Sequence, residues 1–190
     1  MPARYMYRRE TGLYYACFDC LVPDTAESMF RDFNAGKAQE RYSDVCAEEH
    51  VLLEEQRSLP SGDERLVRGI YRMPYPLKDR DFVWKEWAAL LPTTDGGQLY
   101  VSVARTPEEH EDLCPPTPSH YVRGFLTLSA TFARQAPGER TVRAGFVVQG
   151  DIRGRVPKAL QNLLAANAGT YLARFRDAHT LPVAPSSVGG

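Results

Sequence analysis

The stretch YRMPYPLKDRDFVWKEW, residues 71–87, constrains the fold more than any other part of this chain. Pro74 and Pro76 have no N–H to give a ladder and so end one strand, and the aromatic-rich run from Phe82 starts another. Asp79, Arg80 and Asp81 fall at the bend between them. A guanidinium there can tie loop carbonyls or carboxylates to the sheet with its planar fork. Arg80 and Asp81 are therefore read as structural residues.

The rest of the chain falls into short runs around this bend. Tyr5 to Arg9 and Leu13 to Leu21 flank Thr11-Gly12 and read as a hairpin. Asp24 and Glu27 have the spacing of a reciprocal cap, and Met29, Phe30 and Phe33 give one apolar face, so a helix is expected over 24–34, with a further helical turn near 37–42. Val45 to Gln56 fits a strand with a wet outer face, with a Glu-rich helix as the competing reading. Strands follow at Leu66 to Met73, Phe82 to Leu91, Leu99 to Arg105, Tyr121 to Arg134 and Arg140 to Gln149. Between them, Thr106 to Ser119 is a polar loop with four prolines, long for a plain connection. Pro157 suits a first helical residue, and Leu160, Leu163, Leu164, Tyr171, Leu172 and Phe175 recur at helical spacing. A long amphipathic helix thus closes the chain, and a frayed tail follows from about 182. The pattern is an α+β fold, an antiparallel sheet of eight or nine strands in meander order with one or two short early helices and one long terminal helix that can enclose a space.

Composition narrows the function. A length of 190 residues fits one domain, expected over 1–181. A net charge of −1 and scattered basic residues argue against nucleic acid. No apolar run is long enough to span a bilayer and no secretory signal is visible, so the chain reads as soluble and cytoplasmic. Cys17, Cys20, Cys46 and Cys114 fit a reducing compartment. Cys17 and Cys20 sit three apart in an alternating run and so on opposite faces, and the four histidines are isolated, so no metal or other cofactor is expected.

The motifs also carry a resemblance. YPLKDRDFVW resembles the P-P-x-x-x-R-D-[FY]-V signature of the START (steroidogenic acute regulatory protein-related lipid transfer) domains. RRETGLYY (8–15) is similar to a strand pair of their phosphatidylcholine-transfer-protein-like branch, VART (103–106) to the end of a later strand, and GDIRGRVPKALQN (150–162) to the loop before their last helix. The four matches keep the family's order over about residues 5–178. The resemblance implies a helix-grip (START/Bet v 1-like) fold whose last helix lids a tunnel for one lipid, and transient membrane contact. The family has one more helix and strand before the point where this chain starts.

In the implied tunnel, Phe82, Trp84 and Glu86 share a face by alternation. Glu86 stands where the family often has an Arg. A carboxylate there disfavours a phosphate ligand and, if buried, needs a partner; Arg68, Arg72, Arg105 and Arg123 are the candidates, and a solvated strand end is the alternative. Thr127 and Phe146-Val147-Val148 stand where the phosphatidylcholine branch has aromatic residues, which removes a choline cage. The expected cavity residues are Phe82, Trp84, Glu86, Arg68, Thr127, Leu160 and Leu164. Non-catalytic binding and transfer or sensing of one lipid or other hydrophobic molecule is the leading expectation. A helix-grip enzyme of cyclase or hydrolase type would use Glu86, His120 or Asp81 as acid or base; a protein-interaction domain would offer Pro115 to Pro118 as ligand.

Overall fold

The computed structural model describes residues 3–8, 13–34, 37–56, 63–107, 116–157, 170–171 and 173–179. The expected cavity residues Leu160 and Leu164, the middle of the expected terminal helix and the expected tail lie outside them. Nine strands form one sheet. They are β1 (Ala3–Arg8), β2 (Leu13–Val22), β3 (Cys46–Gln56), β4 (Asp63–Tyr71), β5 (Arg80–Pro92), β6 (Gln98–Arg105), β7 (Val122–Arg123), β8 (Phe125–Gln135) and β9 (Val142–Asp151). Their order is β1-β2-β9-β8-β6-β5-β4-β3, antiparallel throughout, with the short β7 parallel to β5. The chain therefore does not run as a simple meander: it leaves β2, crosses by two helices to the far edge, and returns strand by strand until β9 meets β2. One antiparallel sheet with helices packed on it is the arrangement that the helix-grip resemblance implies.

Helix α1 (Ala26–Asn34) buries Ala26, Met29 and Phe33, one face at helical spacing. Its cap sits one residue later than the sequence spacing implied. Thr25 Oγ1 accepts from the Ser28 N–H at 3.1 Å, and Gln135 Oε1 takes the Ala26 N–H at 3.0 Å. Glu27 instead pairs with Arg31 one turn on, and Asp24 keeps one carboxylate oxygen for another partner. Helix α2 (Ala38–Tyr42) buries Ala38 and Tyr42. Residues 170–178 are helical apart from 172, which is not described, and form the last helix seen, α3.

These helices lie on one face of the sheet. Met29, Phe33, Tyr42, Tyr171 and Phe175 pack with Ala88, Tyr100, Ala133, Ala144 and Phe146 into a dry cluster, with the Phe33 ring 4.8 Å from that of Phe175 and 5.7 Å from that of Tyr100. Toward the other end of β5 a smaller cluster joins Val67, Trp84 and Ala104 with Tyr71, Phe82 and Leu126. Gly69 makes the second cluster possible: a Cβ there would stand 2.8 Å from the Trp84 ring. Leu126 joins this cluster while Ser129, three residues on, sits opposite Val148, because a bulge between Leu126 and Leu128 resets the alternation. Thr127, expected to line the cavity, is the residue the bulge leaves out of the pairing, and it is exposed.

Candidate functional site: a helix-side wall with a buried ion pair

Arg80 and Asp81 open β5 and point to opposite sides of the strand. Arg80, 2% exposed, donates from Nε to Ile152 O at 2.8 Å and from Nη2 to Arg153 O at 3.0 Å, and also to Lys78 O. It thereby fastens the loop leading out of β9 to the start of β5. Asp81, fully buried, accepts from Arg68 at 2.9 Å and from Arg123 at 2.5 Å. Two guanidiniums on one carboxylate hold β4, β5 and β7 together. Arg68, expected in the cavity, is thus committed to Asp81 on the face away from the helices.

Phe82, Trp84 and Glu86 all lie on the helix face, in register with Gly69, Val67 and Arg65. Arg65 is the partner of Glu86, in place of the four arginines named from the sequence. Its guanidinium stands 3.3 Å from Glu86 Oε2, with the two side chains 3% and 13% exposed. It also donates to Asn34 O at 3.1 Å and Phe33 O at 3.3 Å, the last carbonyls of α1, where a cation is favoured by the helix dipole. Ser102 donates its hydroxyl to Glu86 Oε1 at 2.7 Å. An ion pair this dry survives because every charge has several partners.

Arg65 was missed because Asp63-Glu64-Arg65 looks like the end of a polar loop. The alternation Arg65, Val67, Gly69, Tyr71 carried the signal. Among the described residues, Asn34 Oδ1 and the Tyr100 hydroxyl are buried without a hydrogen bond; Asn34 is the residue whose carbonyl Arg65 holds, and Tyr100 feels the Glu86 charge and has the Ser102 side chain beside it. Burial pushes the Tyr100 phenol well up, and the nearby Glu86 charge adds to this, so it stays protonated.

Where the two clusters meet, the helix face is only half-buried at Phe82, Glu86, Leu126, Ser129 and Val148. These residues form a largely apolar wall with a polar spot, partly open to solvent. Of the other acid–base candidates, Asp81 is held by its two arginines, and His120 is exposed in the loop with its ring 4.0 Å from Tyr121. Pro116 and Thr117 are exposed; Pro115 lies outside the described residues. Burial pushes the Cys46 thiol up to about 12, with the Glu49 and Glu40 charges adding to the effect, so it is not a thiolate nucleophile at neutral pH. Cys20 and Cys46 are free thiols. Among the described residues no group of three or more His, Cys, Asp or Glu side chains could hold a metal ion, and no helix is long and apolar enough to cross a membrane.

No protein-family model matches the chain, and no curated protein does. Solved structures do. Human StAR-related lipid transfer protein 5 superposes with a TM-score of 0.69 at 18% identity, covering 93% of this chain and 80% of that one. A STAR-related lipid transfer protein from Xanthomonas axonopodis gives 0.66 at 13% identity, covering 93% and 91%. The human StarD13 (DLC2) lipid transfer and protein localization domain gives 0.64 at 13%, covering 90% and 79%. At such identities the shared property is the fold.

Proposed function

We propose that this protein binds one hydrophobic molecule against the helix face of its sheet and carries or senses it, without catalysis. The observation that supports this most is the half-buried wall of Phe82, Leu126 and Val148 beside an ion pair, in a fold shared with lipid transfer domains. A wall of this kind gives a lipid its apolar contact area, and one polar spot sets its orientation.

The polar spot narrows the ligand. Arg65 is neutralised by Glu86 and already donates to two carbonyls, which leaves little for a phosphate. The choline-binding rings of the phosphatidylcholine branch have no counterpart in Val147, Val148 or Thr127, so the likeness of residues 8–15 to that branch does not extend to its headgroup chemistry. Among the described residues the polar atoms left without a hydrogen bond near the pair are one acceptor, Asn34 Oδ1, and one hydroxyl, Tyr100. A neutral lipid headed by a single hydroxyl answers both, donating to the first and accepting from the second.

The turn after β4 supplies the membrane contact. Tyr75 is 98% exposed between Pro74 and Pro76, with exposed Arg72 and Lys78 on either side. An aromatic tip flanked by cations suits the lipid–water interface. Glu86 is read as an orienting group; a turnover lost in Glu86→Gln would contradict that and establish the enzyme reading.

The test is uptake from vesicles containing phosphatidylcholine, an anionic phospholipid, and either a sterol or diacylglycerol, followed by native mass spectrometry. One neutral hydroxyl lipid per chain is expected. Uptake of phospholipid alone would overturn the headgroup assignment, and no uptake of any lipid by folded protein would overturn the function.

A further inference from the structure

A second cluster of titratable groups lies where the chain's last helix meets its first. The His179 ring stacks on Phe175 at 4.2 Å between centroids and places both nitrogens against carboxylates. Nδ1 is 2.5 Å from Asp24 Oδ2, just before α1, and Nε2 is 3.2 Å from Asp32 Oδ2, within α1. Ionised carboxylates only accept, so both contacts are satisfied as hydrogen bonds only by an imidazolium, which has an N–H on each nitrogen. The three side chains are 16–17% exposed, dry enough for the bonds to hold and wet enough for a proton to leave.

Among the described residues, the other charged and titratable groups near the ring come from three elements. From α2, Tyr42 donates to Asp32 Oδ2 at 2.5 Å with its oxygen 3.5 Å from Nε2, and Arg41 donates to Asp32 Oδ1 at 2.5 Å. On the same helix as His179, Arg176 bonds Asp177 at 2.6 Å, and Arg174 reaches across to Asp44. Cys20, on β2, contributes a thiol that burial keeps protonated. Nothing in this set replaces the second ring N–H.

We propose that His179 is a pH-sensitive fastener of the terminal helix: protonated, it clamps residues 170–179 to α1 through Asp24 and Asp32, and loss of its proton opens the clamp. The neutral ring keeps one N–H, so one of the two carboxylates then faces a lone pair. The clamp matters because the same helix carries Tyr171 and Phe175 into the core over Phe146 and Phe33. Opening it uncovers that end of the helix face.

The lower limit of the clamped state belongs to Asp32. Burial works to raise the Asp32 carboxyl, but the hydrogen bonds from Tyr42 and His179, with Arg41 nearby, outweigh it and leave it below the ordinary range. Since the folded value is the lower one, this contribution is present above the unfolded value and is lost as pH falls through the folded value.

Amide hydrogen exchange on the full chain tests the clamp without any ligand, so its result stands apart from the lipid reading. Protection of 170–179 is measured against that of β5, corrected for intrinsic exchange, between about pH 5.5 and 8.5. In the native chain the relative protection should fall about tenfold as pH rises, the loss of one charge-assisted hydrogen bond. His179→Lys, with a lasting charge and three donors, should stay protected across the range; His179→Gln should be poorly protected throughout. If His179→Gln fails to fold, as loss of β5 protection would reveal, Asp24→Asn reads the same claim: weaker protection at the acid end only. A native chain without the step, or a step that persists in His179→Lys, overturns the proposal.

Discussion

Replacing Arg65 by Met removes the cation beneath Glu86 while keeping most of its apolar stem. At 3.3 Å and an effective dielectric of about 20, the gross attraction is about 5 kcal/mol. The two side chains are nearly dry, so the substitution leaves a carboxylate buried with Ser102 as its remaining hydrogen-bond donor, and leaves the Phe33 and Asn34 carbonyls without the guanidinium. Loss of one partner of such a pair destabilises by about 3–5 kcal/mol; Ser102 still serves the carboxylate while two carbonyls are stripped, which places Arg65→Met in the middle of that range, about 4 kcal/mol. Adding Glu86→Leu removes the stranded charge and should recover about 2 kcal/mol of that loss. Urea unfolding of the two single variants and the double variant gives the coupling directly. A loss under about 1 kcal/mol for Arg65→Met, or a double variant no more stable than the single, would refute the description of this pair as dry and mutually dependent.

Three further outcomes follow from the same geometry. Gly69→Ala drives a methyl into the Trp84 and Tyr71 rings, 2.8 and 2.9 Å away, and should lower Tm by about 5 °C. Arg80→Ala releases the carbonyls of Ile152 and Arg153, so trypsin should cut at Arg153 or Arg155 faster than in the native chain while β5 stays protected. Val148→Trp fills part of the half-buried wall and should abolish lipid uptake with little change in Tm, as read by native mass spectrometry and a melting curve.

The parts of this fold legible in the sequence are those written in local chemistry. Pro74 and Pro76 mark the break before β5, and alternation alone puts Phe82, Trp84 and Glu86 on one face. The four matching motifs led to a helix-grip fold, which is the fold observed. Three features were illegible for distinct reasons. β4 begins at Asp63, where three charged residues in a row look like a loop but alternate as a strand, and that hid Arg65. The bulge at Thr127 depends on how β8 meets β9, a relation between strands with no mark in either one. His179 meets Asp24 and Asp32 across some 150 positions, and it is tertiary packing, Phe175 on Phe33 and Tyr171 on Phe146, that brings them together.

The most direct test of a molecule bound against the helix face uses Trp84, which belongs to the smaller core cluster on that face, whereas Trp87 is on the other side of β5. In Trp87→Phe, Trp84 is the single tryptophan, and its fluorescence should be quenched by about one equivalent of a lipid carrying bromine on its acyl chain, and restored by competition with the unlabelled lipid. Emission unchanged by bound brominated lipid would place the guest elsewhere and contradict the account.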